Sequence, residues 1–253
     1  MKSKQSRKNN PLSYSERTYR LMEQSGLVST YVRMVETDLH ILAPVNVEDE
    51  ALRLVAGVRS SLETYIRGHR QFVDSLVPLP MDESAPFAIK EMFAAGNAAG
   101  VGPMAAVAGT IAEIVGQGLI NSGVEDLIVE NGGDIFIART QESTVSIFAG
   151  PSPLSNKLGV RLIPAMMPCG LCCSSGSVGH SLSLGRADAV VIKAGSTSLA
   201  DAAATRIGNE MDGTPGSLDK ALKVVQEIKG ISGAVLVQGQ HMGAWGEIEL
   251  VRL

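Results

Sequence analysis

Between Ser29 and Ala43 apolar or β-branched residues alternate with polar ones, and from Val47 to Ile66 the apolar spacing lengthens to every third or fourth residue. A period of two belongs to a strand with one buried face, and a period near 3.6 to an amphipathic helix. A chain that switches between the two has to stack helices on a sheet. Leu52, Val55, Val58, Leu62, Tyr65 and Ile66 mark the helix's buried stripe, and Glu48, Asp49 and Glu50 fill its first turn, where they complement the helix dipole. His40 falls on the polar side of the alternation and reads as a surface residue.

The pattern breaks at Val77-Pro-Leu-Pro80 and the acidic segment Met81–Ser84, so a boundary between two similar halves is expected near residues 77–84. A short helix is expected around Pro86 to Ala95. A longer one follows from Met104 to Leu119, with Met104, Val107, Ile111, Ile114 and Val115 facing inward. Gly100 and Gly102 precede this second helix, and Pro103 suits its first turn. Glycines there let backbone amides reach an anion, and they also let helices pack closely; both readings stand. Neither a Walker A loop nor a G-x-G-x-x-G fingerprint is present.

From Val124 to Ile137 the chain reads strand, turn, strand, with Asn131, Gly132 and Gly133 at the turn. Asn-Gly suits a hairpin. That accounts for the turn but not for the carboxylates Glu130 and Asp134 on either side of it. Further strands are expected at Ser143–Ala149, Leu158–Ile163 and Ala187–Ala194. The whole reads as α+β, antiparallel sheets covered by helices: a basic disordered tail at 1–12 and a single domain over 13–253.

With 22 Lys+Arg against 26 Asp+Glu, the net charge of −4 gives no general attraction to nucleic acid or an anionic membrane. The basic start is not followed by an apolar run, and no segment reads as a membrane span. Three cysteines packed into Cys169–Cys173 are no disulfide framework, so a cytoplasmic setting is expected.

The chemistry-bearing residues gather late in the chain. Cys169-Gly-Leu-Cys172-Cys173 has C-x-x-C spacing, open to buried thiols, redox or persulfide chemistry, or zinc. Ser174, Ser175, Gly176 and Ser177 supply hydroxyls and backbone amides suited to phosphate or carboxylate oxygens, though a surface turn has the same composition; His180 follows. Ser198-Leu-Ala-Asp201 has the form of a helix capping box with Asp in place of Glu. Thr205, four residues on, lies on the same helix face as Asp201, and a carboxylate beside a hydroxyl suits a hard cation such as Mg²⁺.

Together, Ala99–Gly109, Glu130–Ile135, Ser174–Gly185 and Leu199–Thr205 resemble a prokaryotic family within the ApbE-like superfamily, related to the FAD:protein FMN transferases. The likeness to that smaller family covers most of the chain; the likeness to the transferases is confined to roughly residues 96–211. It implies the ApbE-like, T-fold-like architecture of two similar halves. It also implies a pocket for a small anionic ligand, FAD or FMN with Mg²⁺. Asp201 and Thr205 match the metal ligands, and His180 the histidine near the transferred phosphoryl group, with Ser175 beside it. Asn131, Gly132, Gly133 and Asp134 match pocket-lining positions, and Gly100, Gly102, Ser174, Gly176 and Ser177 join them as candidate cofactor-binding residues on the chemistry given above. The transferases follow their histidine with a D-P-x-T-G segment, where this chain has Ser181-Leu-Ser-Leu-Gly185. Two other readings stay open: a sulfur-assimilation accessory protein using the thiols, and a homo-oligomeric scaffold.

Overall fold

The computed structural model describes residues 26–175, 185–214 and 216–253. Its main layer is an eight-stranded antiparallel sheet in the order β1-β2-β3-β4-β7-β8-β9-β10. The strands are β1 (Val28–Met34), β2 (Thr37–Ala43), β3 (Leu127–Asn131), β4 (Asp134–Ala138), β7 (Cys169–Ser174), β8 (Ala189–Ala194), β9 (Ile231–Gln238) and β10 (His241–Gly246). A second sheet joins β5 (Ser143–Ser146), β6 (Leu158–Leu162) and β11 (Glu249–Arg252). The helices are α1 (Glu48–Gly68), α2 (Arg70–Asp74), α3 (Phe87–Ala99), α4 (Val107–Asn121), α5 (Thr197–Glu210) and α6 (Ser217–Glu227).

Helices cover one face of the large sheet and the small sheet covers part of the other. On the helix side, Leu39, Ile41, Leu127, Val129 and Phe136 pack under α1 and α4, while Val190, Ile192, Ala234 and Leu236 pack under α3, α5 and α6. On the reverse side Ile137, Leu171, Val191 and Val235 meet Ile147, Val160 and Leu162. The α+β expectation is met, and the two apolar layers explain why β2 and β8 are buried throughout.

The order of elements repeats. Hairpin β1-β2, helices α1–α4 and hairpin β3-β4 form one unit; hairpin β7-β8, helices α5 and α6, and hairpin β9-β10 form the next. Residues 77–84 hold the Pro-rich break of the sequence. That Pro-rich break links α2 to α3 inside the first unit, where the Tyr65 hydroxyl donates to Asp82 at 2.8 Å and ties it to α1.

The alternation from Ser29 to Ala43 is a hairpin rather than one strand. It reverses at Val35, whose φ of +55° is unusual for a β-branched residue, and no Gly or Asn signals the turn. Residues Pro103–Asn121 are apolar enough, by length and composition, to pass for a membrane span. Here they are a one-turn 3-10 segment followed by α4, packed between α1, α5 and strands β3 and β4.

Candidate functional site

Asn131, Asp134 and Cys172 are successive cross-strand partners on β3, β4 and β7, and all three face the helices. The first turn of α4 lies over this polar row. Asn131 Nδ2 donates to the Ala108 carbonyl at 3.0 Å, while the Gly109 amide donates to Asp201 Oδ2 at 2.8 Å. The β3-β4 turn and α5 thus grip the same turn of α4 from two sides. Position 109 has to be glycine for this: a Cβ would sit 2.5 Å from the Thr197 carbonyl oxygen and 2.7 Å from Asp201 Cβ.

The capping of α5 differs from the expected capping box. Its N-cap is Ser196, whose Oγ accepts from the Leu199 amide, and Ser198 lies one residue inside the helix. The carboxylate at this helix end comes from α4. Glu113 Oε2 accepts from the Ser198 amide at 3.0 Å, from Ser198 Oγ at 3.0 Å and from Ser196 Oγ at 3.1 Å. Thr110 Oγ1 lies 2.9 Å from Ser198 Oγ and 2.7 Å from the Ala106 carbonyl. Each helix therefore sends a carboxylate to the other's N-terminus, Glu113 to α5 and Asp201 to α4. Both ends satisfy amides that would otherwise be orphaned. Neither partner could be read from local spacing, since the pairs are 85 and 92 residues apart.

Burial pushes the Asp201 carboxyl up to about 7, against the pull of hydrogen bonds from the Gly109 and Ala108 amides. Cys172 is raised well above the usual thiol value, first by burial and then by the negative charges of Asp134 and Asp201, and its Sγ lies 3.4 Å from the Thr197 carbonyl. Asp201 Oδ2 accepts from the Gly109 amide, and the half-buried Thr205 follows one helical turn on along α5; a carboxylate and a hydroxyl are the oxygen types a small divalent cation takes.

The thiols do not form one cluster. Successive side chains on β7 point to opposite faces, so Cys172 faces the helices while Cys169 and Cys173 pack against the small sheet. Burial lifts Cys169 to about 11 and Cys173 to about 12. Among the described residues no group of three His, Cys, Asp or Glu side chains is placed to hold a metal ion, so the Cys169–Cys173 zinc reading has no ligand set there.

Gly132 and Gly133 form the β3-β4 turn with φ of +72° and +106°; the Gly133 amide donates to Glu130 Oε1 at 2.8 Å and its carbonyl accepts from the Cys173 amide at 3.1 Å. The turn is thereby fastened to β7. Glu130 lies on the sheet face opposite Asp134. Gly100 ends α3 with a φ of +76°, which favours glycine, and a Cβ on Gly102 would overlap the Ser75 carbonyl. Ser174 ends β7 and Ser175 follows it, both half-buried. Gly176, Ser177 and His180 lie outside the described residues. His40 is not a surface residue. It is 4% exposed, stacked on Tyr31 at 4.5 Å and paired in register with Glu130, because the reverse face of β2 is buried too.

The family model for AbpE bacteria matches residues 19–242. The chain belongs to the AbpE bacteria family. Among family relatives, a UPF0280 protein of Methanosarcina acetivorans is 40% identical over 225 residues, covering 87% of each chain. One from Methanococcoides burtonii is 41% identical over 228 residues, covering 90% of this chain and 93% of its own. Among solved structures, the apo form of the Pseudomonas stutzeri flavinyl transferase ApbE aligns with a TM-score of 0.51 at 13% identity, covering 87% of this chain and 93% of that one. At that identity the likeness shows that this AbpE bacteria family member shares the ApbE fold.

Proposed function

We propose that this protein binds a flavin dinucleotide or a similar anionic nucleotide where the β3-β4 turn, the end of β7 and the facing N-termini of α4 and α5 converge. The observation that carries this reading is the grip of Asn131 and Asp201 on one turn of α4. It gathers the residues of three separated motifs at one place, close to the end of β7 where Ser174 lies. A Mg²⁺ held by Asp201 and Thr205 would supply positive charge against the ligand's pyrophosphate. The Pseudomonas stutzeri protein that shares the fold is a flavinyl transferase, which supports the choice of flavin as ligand.

In this reading the protein's own groups divide the work. Asp201 holds the cation on one side and α4 on the other. Asp134 and Asn131 keep the polar row beneath it, and Gly132 and Gly133 supply the positive φ that the turn needs. Ser174 and Ser175, at the end of β7, are proposed as hydroxyls that meet the ligand, with His180 proposed near the phosphoryl group. Calorimetric titration of FAD into the purified chain with Mg²⁺ should give binding in the micromolar range or tighter, and no heat with or without Mg²⁺ would sink the proposal. Incubation with FAD, Mg²⁺ and a threonine-containing acceptor protein, read by mass, separates FMN transfer from binding alone.

A further inference from the structure

Glu113 lies outside every motif that marks this site, yet one of its oxygens accepts three hydrogen bonds at the start of α5. Those donors belong to Ser196 and Ser198, three to five residues before Asp201. Ser198 is 1% exposed, so its amide and hydroxyl have little access to water to replace that carboxylate. Charge-assisted hydrogen bonds to a helix's first turn are among the stronger local restraints. On the other side of the same contact, Asp201 holds the Gly109 amide, and Gly109 lies one turn of α4 before Glu113.

We propose that Glu113 is the positioning residue of the cation site. It fixes where the start of α5 sits on α4, and so fixes where Asp201 and Thr205 present their oxygens. The two carboxylates work as a crossed pair: Glu113 sets the rotation and depth of α5, and Asp201 closes the pair by capping α4. Thr110 and Ser198 fill the space between with hydroxyls in hydrogen-bonding distance. The part of this inference that concerns cation binding rests on the functional reading above; the part that concerns the position of Asp201 does not.

The test compares the full-length wild type with Glu113→Ala and Glu113→Gln. Glutamine keeps an acceptor oxygen and the shape of the side chain, and the serine hydroxyls can turn to accept from its amide. Amide exchange by NMR reads the position of Asp201 without any ligand. Glu113→Ala should speed exchange at Gly109, whose partner is Asp201, by about tenfold, and Glu113→Gln should recover most of the protection. FAD affinity measured with Mg²⁺ should fall about tenfold in Glu113→Ala, and without Mg²⁺ by less than about twofold. Faster exchange at Ser198 with Gly109 unchanged would make Glu113 a local cap only and overturn the inference. An equal loss of affinity with and without Mg²⁺ would also overturn it. A wild type indifferent to Mg²⁺ defeats the functional reading instead, while the Gly109 exchange still decides the role of Glu113.

Discussion

The two faces of β7 hold neighbouring residues in different chemical worlds. On the helix side Cys172 sits with Asp134 and Asp201 under the α4-α5 junction; on the reverse side Cys169 and Cys173 pack into an apolar layer with Leu171, Val191 and Val237. Adjacent cysteines in sequence are thus separated by the thickness of a sheet. What makes the helix side a candidate site is the carboxylates and amides brought to it from α4 and α5, not its thiol.

The largest contrast comes from removing the carboxylate. Asp201→Ala should abolish the Mg²⁺-dependent part of FAD binding, a loss of about a hundredfold or more. It should also cost about 1–3 kcal/mol in denaturant unfolding, because the Gly109 amide loses its acceptor. If affinity survives, the helix side is not the site. Next, Gly109→Ala forces a methyl against the Thr197 carbonyl and Asp201 and should destabilise the fold by about 1–3 kcal/mol, with ligand affinity falling alongside.

A pH titration sharpens the same side. Asp201's folded value of about 7 is raised from its ordinary 3.8, so its contribution to stability is fully present below about pH 4 and fades as pH rises through 7. In chelator-treated buffer, Asp201→Asn should flatten thermal stability over that window; an unchanged slope would show that the group responsible is another. The smallest effects belong to the reverse side. Replacing Cys169 and Cys173 by Ala should leave FAD affinity within about twofold, at a stability cost of about 1–3 kcal/mol for the lost packing. The native thiols should resist iodoacetamide at pH 8, where groups titrating near 11 and 12 carry almost no thiolate; rapid labelling would contradict their placement.

How far the sequence could be read follows the same division between local and distant causes. Hydrophobic period placed α1, α3, α4 and most strands, because each of those signals repeats within the element that carries it. β7 was hidden: Cys169-Gly-Leu-Cys-Cys-Ser174 has few β-branched or aromatic residues, and its strand character comes from the neighbours on both sides, β4 and β8. The i,i+4 spacing put Asp201 and Thr205 on one face of α5, but the same few residues suggested a local capping box. The partner that holds the start of α5, Glu113, comes from 85 residues away. The single acid in the mostly apolar run of α4 is the one hint of its role that the sequence carries. The Pro-rich stretch at residues 77–84 lies between α2 and α3, a local feature of the kind proline reports.

The most direct test replaces Mg²⁺ by Mn²⁺ in the presence of FAD and follows paramagnetic broadening across the amide spectrum of the full-length protein. The account predicts broadening centred on Ala108, Gly109, Asp201 and Ala202, with the amides of Val145 and Val251 in the small sheet much less affected. Broadening centred elsewhere, or none when FAD is bound, would contradict it.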